Sequence, residues 1–283
     1  MTISYDVFTP RRRTRRHAFT LLEMFVILSV ITVLVSLILP AIQQARDGAR
    51  RLSCKNNLMQ IGLALRNYES AHECLPPGSV DPNRPIKSED KGYHVGWVVQ
   101  ILPHLEQLSI YNAFNFSVGV YDQKNLWATQ GLISLVSCPS SPGNTYAGCH
   151  HDVEAPIDVD NNGVLFLNSS IRREDIRDGA SHTIFVGEAG ASGLGWASGT
   201  RATLRNTGSP INSGLVPPGS FGPVASPGGI DLLEVGGFGS GHYGGANFCF
   251  GDGSVRFLSQ ALALPVLRQL GNRADGELPA GEY

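Results

Sequence analysis

The stretch from Phe19 to Ile42 constrains this chain more than any other. It is almost wholly apolar, opening Phe19-Thr20-Leu21-Leu22 and closing Leu39-Pro40-Ala41-Ile42, and it holds a single charge, Glu23. About 20 apolar residues suffice to carry a helix across a bilayer. A secretory signal has a shorter apolar core, roughly 7–15 residues, with a small-residue cut site after it. No such site follows this run and no cysteine is placed for lipid attachment, so the segment reads as a retained anchor. Arg11, Arg12, Arg13, Arg15 and Arg16 stand just before it and put the N-terminus in the cytoplasm by the positive-inside rule. Arg46, Arg50, Arg51 and Lys55 on the far side oppose that assignment.

Glu23 needs a partner, because a charge at the centre of a membrane helix costs about 2.5–3.5 kcal/mol on insertion scales and less near its end. A cut between Ala18 and Phe19 creates a cationic amine four residues before it. That amine, from the same chain or a neighbour, lies at the same membrane depth. The competing reading leaves Glu23 at the headgroup level, and the apolar pattern does not separate the two.

Ala18-Phe19-Thr20-Leu21-Leu22-Glu23 resembles the processing site of type IV prepilins and type II secretion pseudopilins. The resemblance implies removal of a basic leader, residues 1–18, by prepilin peptidase and N-methylation of Phe19. It also implies docking of subunits through Glu23, with Pro40 at the place where pilins often carry proline. Ala18 stands where glycine is usual. The likeness continues through Leu39 to Arg46, Cys54-Lys55-Asn56-Asn57-Leu58, Ile61 to Leu65, Gly96-Trp97 to Leu102-Pro103, Cys138-Pro139-Ser140 and Asp178-Gly179 to Glu188. It ends in a His-x9-Asp-Gly motif, His242 to Asp252-Gly253. These segments together are similar to one large bacterial prepilin-like family of unassigned biochemical role.

The length allows the anchor and one ordinary domain of about 200 residues. Charged residues are 16% of the chain, and 33 glycines with 17 prolines imply many turns. Without residues 1–18 the chain carries 17 basic and 23 acidic residues, net −6. Such a domain is a poor nucleic-acid binder, since phosphate contacts need clustered Lys and Arg. Of the cysteines, Cys54, Cys74, Cys138, Cys149 and Cys249, the preferred bridge is Cys54 with Cys138, which ties the anchor helix to the domain. An odd count leaves at least one thiol free or paired between chains. Cys249 alternates within an expected strand and reads as a small buried residue.

Beyond the anchor, Ile42, Ala45, Ala49, Leu52, Asn56, Met59 and Leu63 recur at spacings of three and four, and a second stripe starts at Leu58, Ile61, Leu65 and Tyr68. The helix therefore continues over residues 43–75, some 80 Å in all from Phe19 at 1.5 Å per residue. Pro40 should kink or locally melt it. The first stripe buries against its own domain or against neighbouring subunits.

Residues 76–283 read as a globular α+β domain. Residues 76–92 form a loop, and Gly96 to Phe114 two helical pieces split at Pro103, with Leu105, Leu108 and Phe114 facing a core. Strands are expected at Gly131 to Val136, Val164 to Leu167, Thr183 to Val186 and Ala202 to Leu204. A hairpin around Gly251-Asp252-Gly253 joins Ala246–Phe250 to Ser254–Leu258. Gln260 to Leu270 is a closing helix, and residues 189–230 are a Gly/Ser/Pro-rich loop region.

Asp158-x-Asp160-x-Asn162-Gly163 has the opening spacing of a calcium loop, but Ser169 stands where an EF-hand needs a glutamate. Glu174 or Asp175 is a candidate to complete another cage, against an ordinary Asp/Asn turn. Cys149-His150-His151-Asp152 reads as an exposed loop. His242 and Asp252 flank a strand and are expected some 25 Å or more apart at roughly 3.3 Å per residue, unless the chain folds back sharply at Gly244-Gly245. Their expected roles are local: Asp252 caps the turn and His242 bonds a Gly-rich loop. With no nucleophile elbow, zinc-protease helix or phosphate loop, the chain is not expected to be an enzyme.

The expected fold is α+β and pilin-like, a long N-terminal helix, transmembrane over 19–42, packed on an antiparallel sheet with large loops. The expected function is a pilin- or pseudopilin-like subunit. It sits in the bacterial inner membrane with its N-terminus in the cytoplasm. Its partners are prepilin peptidase, copies of itself or related subunits, and an inner-membrane assembly platform. The alternative is a membrane-tethered extracytoplasmic binding or adhesive domain that does not polymerise, motivated by the loops of 189–230.

Overall fold

The computed structural model describes residues 20–131, 133–139, 145–213 and 231–277. Ala18, Phe19 and part of the 189–230 loop region lie outside them. The chain forms two compact units that divide between Gly48 and Ala49.

Helix α1, Leu21–His72, passes through that boundary. Its start is a capping box: Thr20 N–H and Oγ1–H donate to Glu23 Oε2 at 2.8 and 2.9 Å, and Glu23 N–H donates to Thr20 Oγ1 at 3.3 Å. In residues 21–42 every apolar side chain is exposed, and this segment is long and apolar enough to cross a membrane. Of the kink or local melt expected at Pro40, the melt does not occur: α1 runs without interruption through it. Proline's fixed φ is helical, and the ring removes one backbone bond from a ladder that continues on both sides.

The 49–72 portion of α1 corrects the stripe assignment. Cys54, Leu58, Ile61, Ala64 and Leu65 are buried, whereas Leu52, Met59 and Leu63 of the first stripe remain 63%, 42% and 59% exposed. The second stripe is the one that meets the domain. Gly62 allows the approach, since a Cβ there would lie 2.6 Å from Cys249 Sγ. Helix α1 ends at His72, and Glu73 after it has a left-handed φ of 62°.

After α1 come β1 (Ser79–Val80) and β2 (Val95–Gly96), an antiparallel pair. Three short helices follow: α2 (Trp97–Ile101), α3 (Leu108–Ala113) and α4 (Leu126–Gln130). Pro103 opens a 3-10 turn between α2 and α3, as its missing N–H allows. Leu105 and Phe114 are buried as expected, and Leu108 is exposed.

The main sheet comprises β3 (Thr145–His151), β4 (Ile184–Ala189), β5 (Leu204–Asn206), β6 (Gly245–Phe250) and β7 (Val255–Ser259), in the order β5-β3-β4-β6-β7. All neighbours are antiparallel except β3 and β5, so the sheet is mixed. Helix α5 (Leu264–Gly271) closes the fold. Tyr146, Val186, Leu204 and Cys249 join one apolar cluster with Leu58, Ile61 and Leu65 of α1. Ala147, Cys149, Ile184, Phe248 and Phe250 join another with Leu267 and Leu270 of α5. The period-2 alternation of strand side chains produces this division along β3 and β6, whereas in β4 a register shift between Ile184 and Val186 sends these two to different clusters.

Three expected elements differ. Ser134–Val136 is a 3-10 turn rather than a strand. Val164 to Leu167 is buried but irregular, held where Val164 and Leu165 N–H both donate to Cys149 O. A short apolar run signals burial without fixing strand geometry. Cys149-His150-His151 belongs to β3, not to an exposed loop, and Cys149 and His150 are fully buried.

Candidate functional site

Four side chains from distant parts of the chain meet beside the sheet. Cys54 comes from α1, Cys138 from the segment after the 3-10 turn, Glu188 from β4, and His242 from the loop before β6. They are 0%, 2%, 1% and 7% exposed. Their candidate ligand atoms all lie within 4.8 Å of one another, which no other group of three or more Cys, His, Asp or Glu matches among the described residues. Cys54 Sγ and Cys138 Sγ are 2.8 Å apart as thiols. His242 Nε2 is 3.2 Å from Glu188 Oε1.

The carboxylate is held from two sides. Asn247 N–H of β6 donates to Glu188 Oε2 at 2.8 Å and its Nδ2 to Oε1 at 3.1 Å. Burial works to raise the Glu188 pKa, but the bonds from His242 and Asn247 and the His242 charge outweigh it and hold it below the ordinary value. Burial likewise works to lower His242. Its bonds to Cys138 and Glu188, with their negative charge, prevail and push it up to about 9. The Cys54 thiol is raised, first by its hydrogen bond with Cys138 and then by burial. His242 and Glu188 thus form an ion pair beside the two cysteine sulfurs.

The sequence paired Cys54 with Cys138, and the structure brings these two together. It gave His242 a Gly-rich loop as partner; the His242 N–H donates to Ser240 Oγ in that loop at 3.2 Å, and the side chain also meets Glu188. Glu188 received no role from sequence reading. The signal available was a carboxylate inside an otherwise apolar strand, Ile184–Ala189, buried throughout.

The His-x9-Asp-Gly motif does not converge on one site. His242 enters the cluster, whereas Asp252 Oδ1 accepts the Ser254 N–H at 2.8 Å in the β6–β7 turn, the capping role expected of it. Gly253 has φ 86° there, which a side chain would strain.

The residues of the calcium-like loop are engaged separately. Asp158 Oδ1 accepts the Val159 N–H at 2.7 Å and lies 3.9 Å from Arg84. Asn162 Oδ1 accepts the Asp152 N–H at 3.0 Å and also bonds His151 Nδ1. Asp160 is exposed. Glu174 meets Arg172, and Asp175 accepts the Arg172 N–H. Asn162 turns towards β3 and Asp158 stays in its own turn, an arrangement that Asx residues adopt without an ion.

A family model described as "Protein of unknown function (DUF1559)" matches residues 43–264. The chain belongs to that family, one of prepilin-like, type II secretion pseudopilin-type proteins of unknown function. No curated protein and no solved structure matches the chain. Each of the four clustered side chains lies in a segment on which the family resemblance was first drawn: Cys54-Lys55-Asn56, Cys138-Pro139, Asp178 to Glu188, and His242 to Gly253.

Proposed function

We propose that this chain is a pilin- or pseudopilin-like structural subunit. Its leader is removed after Ala18 by prepilin peptidase, Phe19 is N-methylated, and the mature chain joins a type IV pilus-like or type II secretion-like filament. The helix sits in the inner membrane with its N-terminus cytoplasmic, and the domain lies in the periplasm or in an extracellular filament. The role is structural rather than catalytic. Copies of itself or related subunits, and an inner-membrane assembly platform, are its partners.

One observation carries the reading. In residues 49–72, α1 packs one row on its own domain and leaves a second apolar row, Leu52, Met59 and Leu63, uncovered. An apolar row on a helix that already has a covered face suits a helix–helix partner. The fully exposed apolar segment 21–42 and Glu23 near its start suit bundling in lipid. The capping box fixes the Glu23 carboxylate at the helix N-terminus, bonded to Thr20, the residue that follows Phe19.

Mass spectrometry of the N-terminus from native membranes tests this reading. A methylated Phe19 is expected, and Glu23→Ala should leave processing intact while lowering filament yield. A chain still beginning at Met1, or an unchanged yield in the variant, contradicts it.

A further inference from the structure

We propose that Cys54, Cys138, Glu188 and His242 form a structural zinc site. Two cysteine sulfurs, one imidazole nitrogen and one carboxylate oxygen are a donor set that zinc takes in tetrahedral sites. Thiolates select zinc and other soft or borderline ions over calcium and magnesium. The donors converge within 4.8 Å although they come from α1, a loop, β4 and the approach to β6. Adjacent turn residues gather by local sequence alone; these four gather only because the whole domain is folded.

The surroundings fit a held metal. A ligating carboxylate is normally oriented by further hydrogen bonds, and Asn247 supplies two of them to Glu188. Gly239 N–H donates to the Glu188 backbone carbonyl at 3.0 Å, which fixes the strand carrying it. Two thiolates and a carboxylate are a costly trio to bury, and a divalent cation offsets most of their charge. Each cysteine binds as thiolate and His242 through a deprotonated ring nitrogen, so uptake releases the thiol protons and the imidazolium proton to solvent. All four positions are filled by buried protein groups, which is the pattern of a structural centre rather than a catalytic one.

The consequence is mechanical. Cys54 is the only member on α1, so the ion ties the helix to the sheet at the level where its buried row begins. A Cys54–Cys138 disulfide would tie the same two segments but would give Glu188 and His242 no part in the link. The inference does not depend on polymerisation, since a tethered monomer would need the same tie.

The test uses the full chain extracted from membranes in mild detergent, with thiols alkylated at lysis in a parallel sample. Elemental analysis should find about one zinc ion per chain. Exchange with cobalt(II) should give thiolate-to-metal charge-transfer absorption and the visible bands of tetrahedral cobalt. Cys138→Ser should abolish the charge-transfer intensity or reduce it by about half. Asn247→Ala, which removes an orienting group and not a ligand, should weaken zinc binding about 10–100-fold. Should the variants fail to fold, the wild-type cobalt spectrum decides alone. A chain that takes up neither metal with both thiols reduced overturns the proposal. So does a Cys54–Cys138 disulfide-linked peptide as the main species in the alkylated sample.

Discussion

Two rows of one helix teach most about this protein. Within residues 49–72, Leu58, Ile61 and Leu65 are covered by the domain, while Leu52, Met59 and Leu63 are open to solvent. The two rows are alike in composition, and sequence periodicity registers both. The difference arises from what faces them. Gly62 sits in the covered arc and lets Cys249 of β6 come close, and Cys54 joins its cluster about two turns earlier. The other row keeps 42–63% of its surface exposed. One row therefore belongs to the fold, and the other is available to a partner.

The contrast is broken most directly by shaving the covered row. Leu58→Ala removes a fully buried side chain and should cost about 2–5 kcal/mol, read as a lowered thermal midpoint of the full chain in detergent. A loss below about 0.5 kcal/mol would mean that the helix is not packed as described.

Burial under the same domain should also leave a mark on pH dependence. His150 in β3 is fully buried, and desolvation holds it down to about 3 against a weaker opposing bond from Asn161. The unfolded chain takes up a proton near the usual 6.5, which the folded chain refuses until about 3. Stability therefore falls as pH falls through that window, by at most about 1.4 kcal/mol per pH unit for one proton. His150→Gln should flatten the slope between pH 6 and 4 by a large part of that amount. An unaltered slope would place a charged or solvated histidine there.

The covered row and the cluster beside it were only partly legible in the sequence. The β6–β7 hairpin was readable because Gly251-Asp252-Gly253 announces a turn between alternating runs, and the observed register, Gly245↔Ser259 to Cys249↔Val255, centres on it. Helix α1 was readable for its length and pattern. Strand β3 was not, since Cys149-His150-His151 looks like ligands or loop until Asn161 and Asn162 arrive beside the Nδ1 atoms of the two imidazoles. The Cys54–Cys138 half of the cluster was read as a bridge that ties the helix to the domain, and the two sulfurs do meet. Glu188 and His242 stayed hidden because their meeting depends on how β4 and β6 pair, which local pattern does not encode.

The smallest effect on stability belongs to the open row, and it bears most on function. Changing Leu52, Met59 and Leu63 together to glutamine should shift stability by no more than about 0.5 kcal/mol for each exposed site. Chemical crosslinking in native membranes should then separate a subunit from a tether. The wild-type chain is predicted to give a ladder of multimers that collapses to monomer in the triple variant while the melting midpoint holds. Wild-type chain that crosslinks only as monomer, or a ladder indifferent to the triple change, would contradict the account.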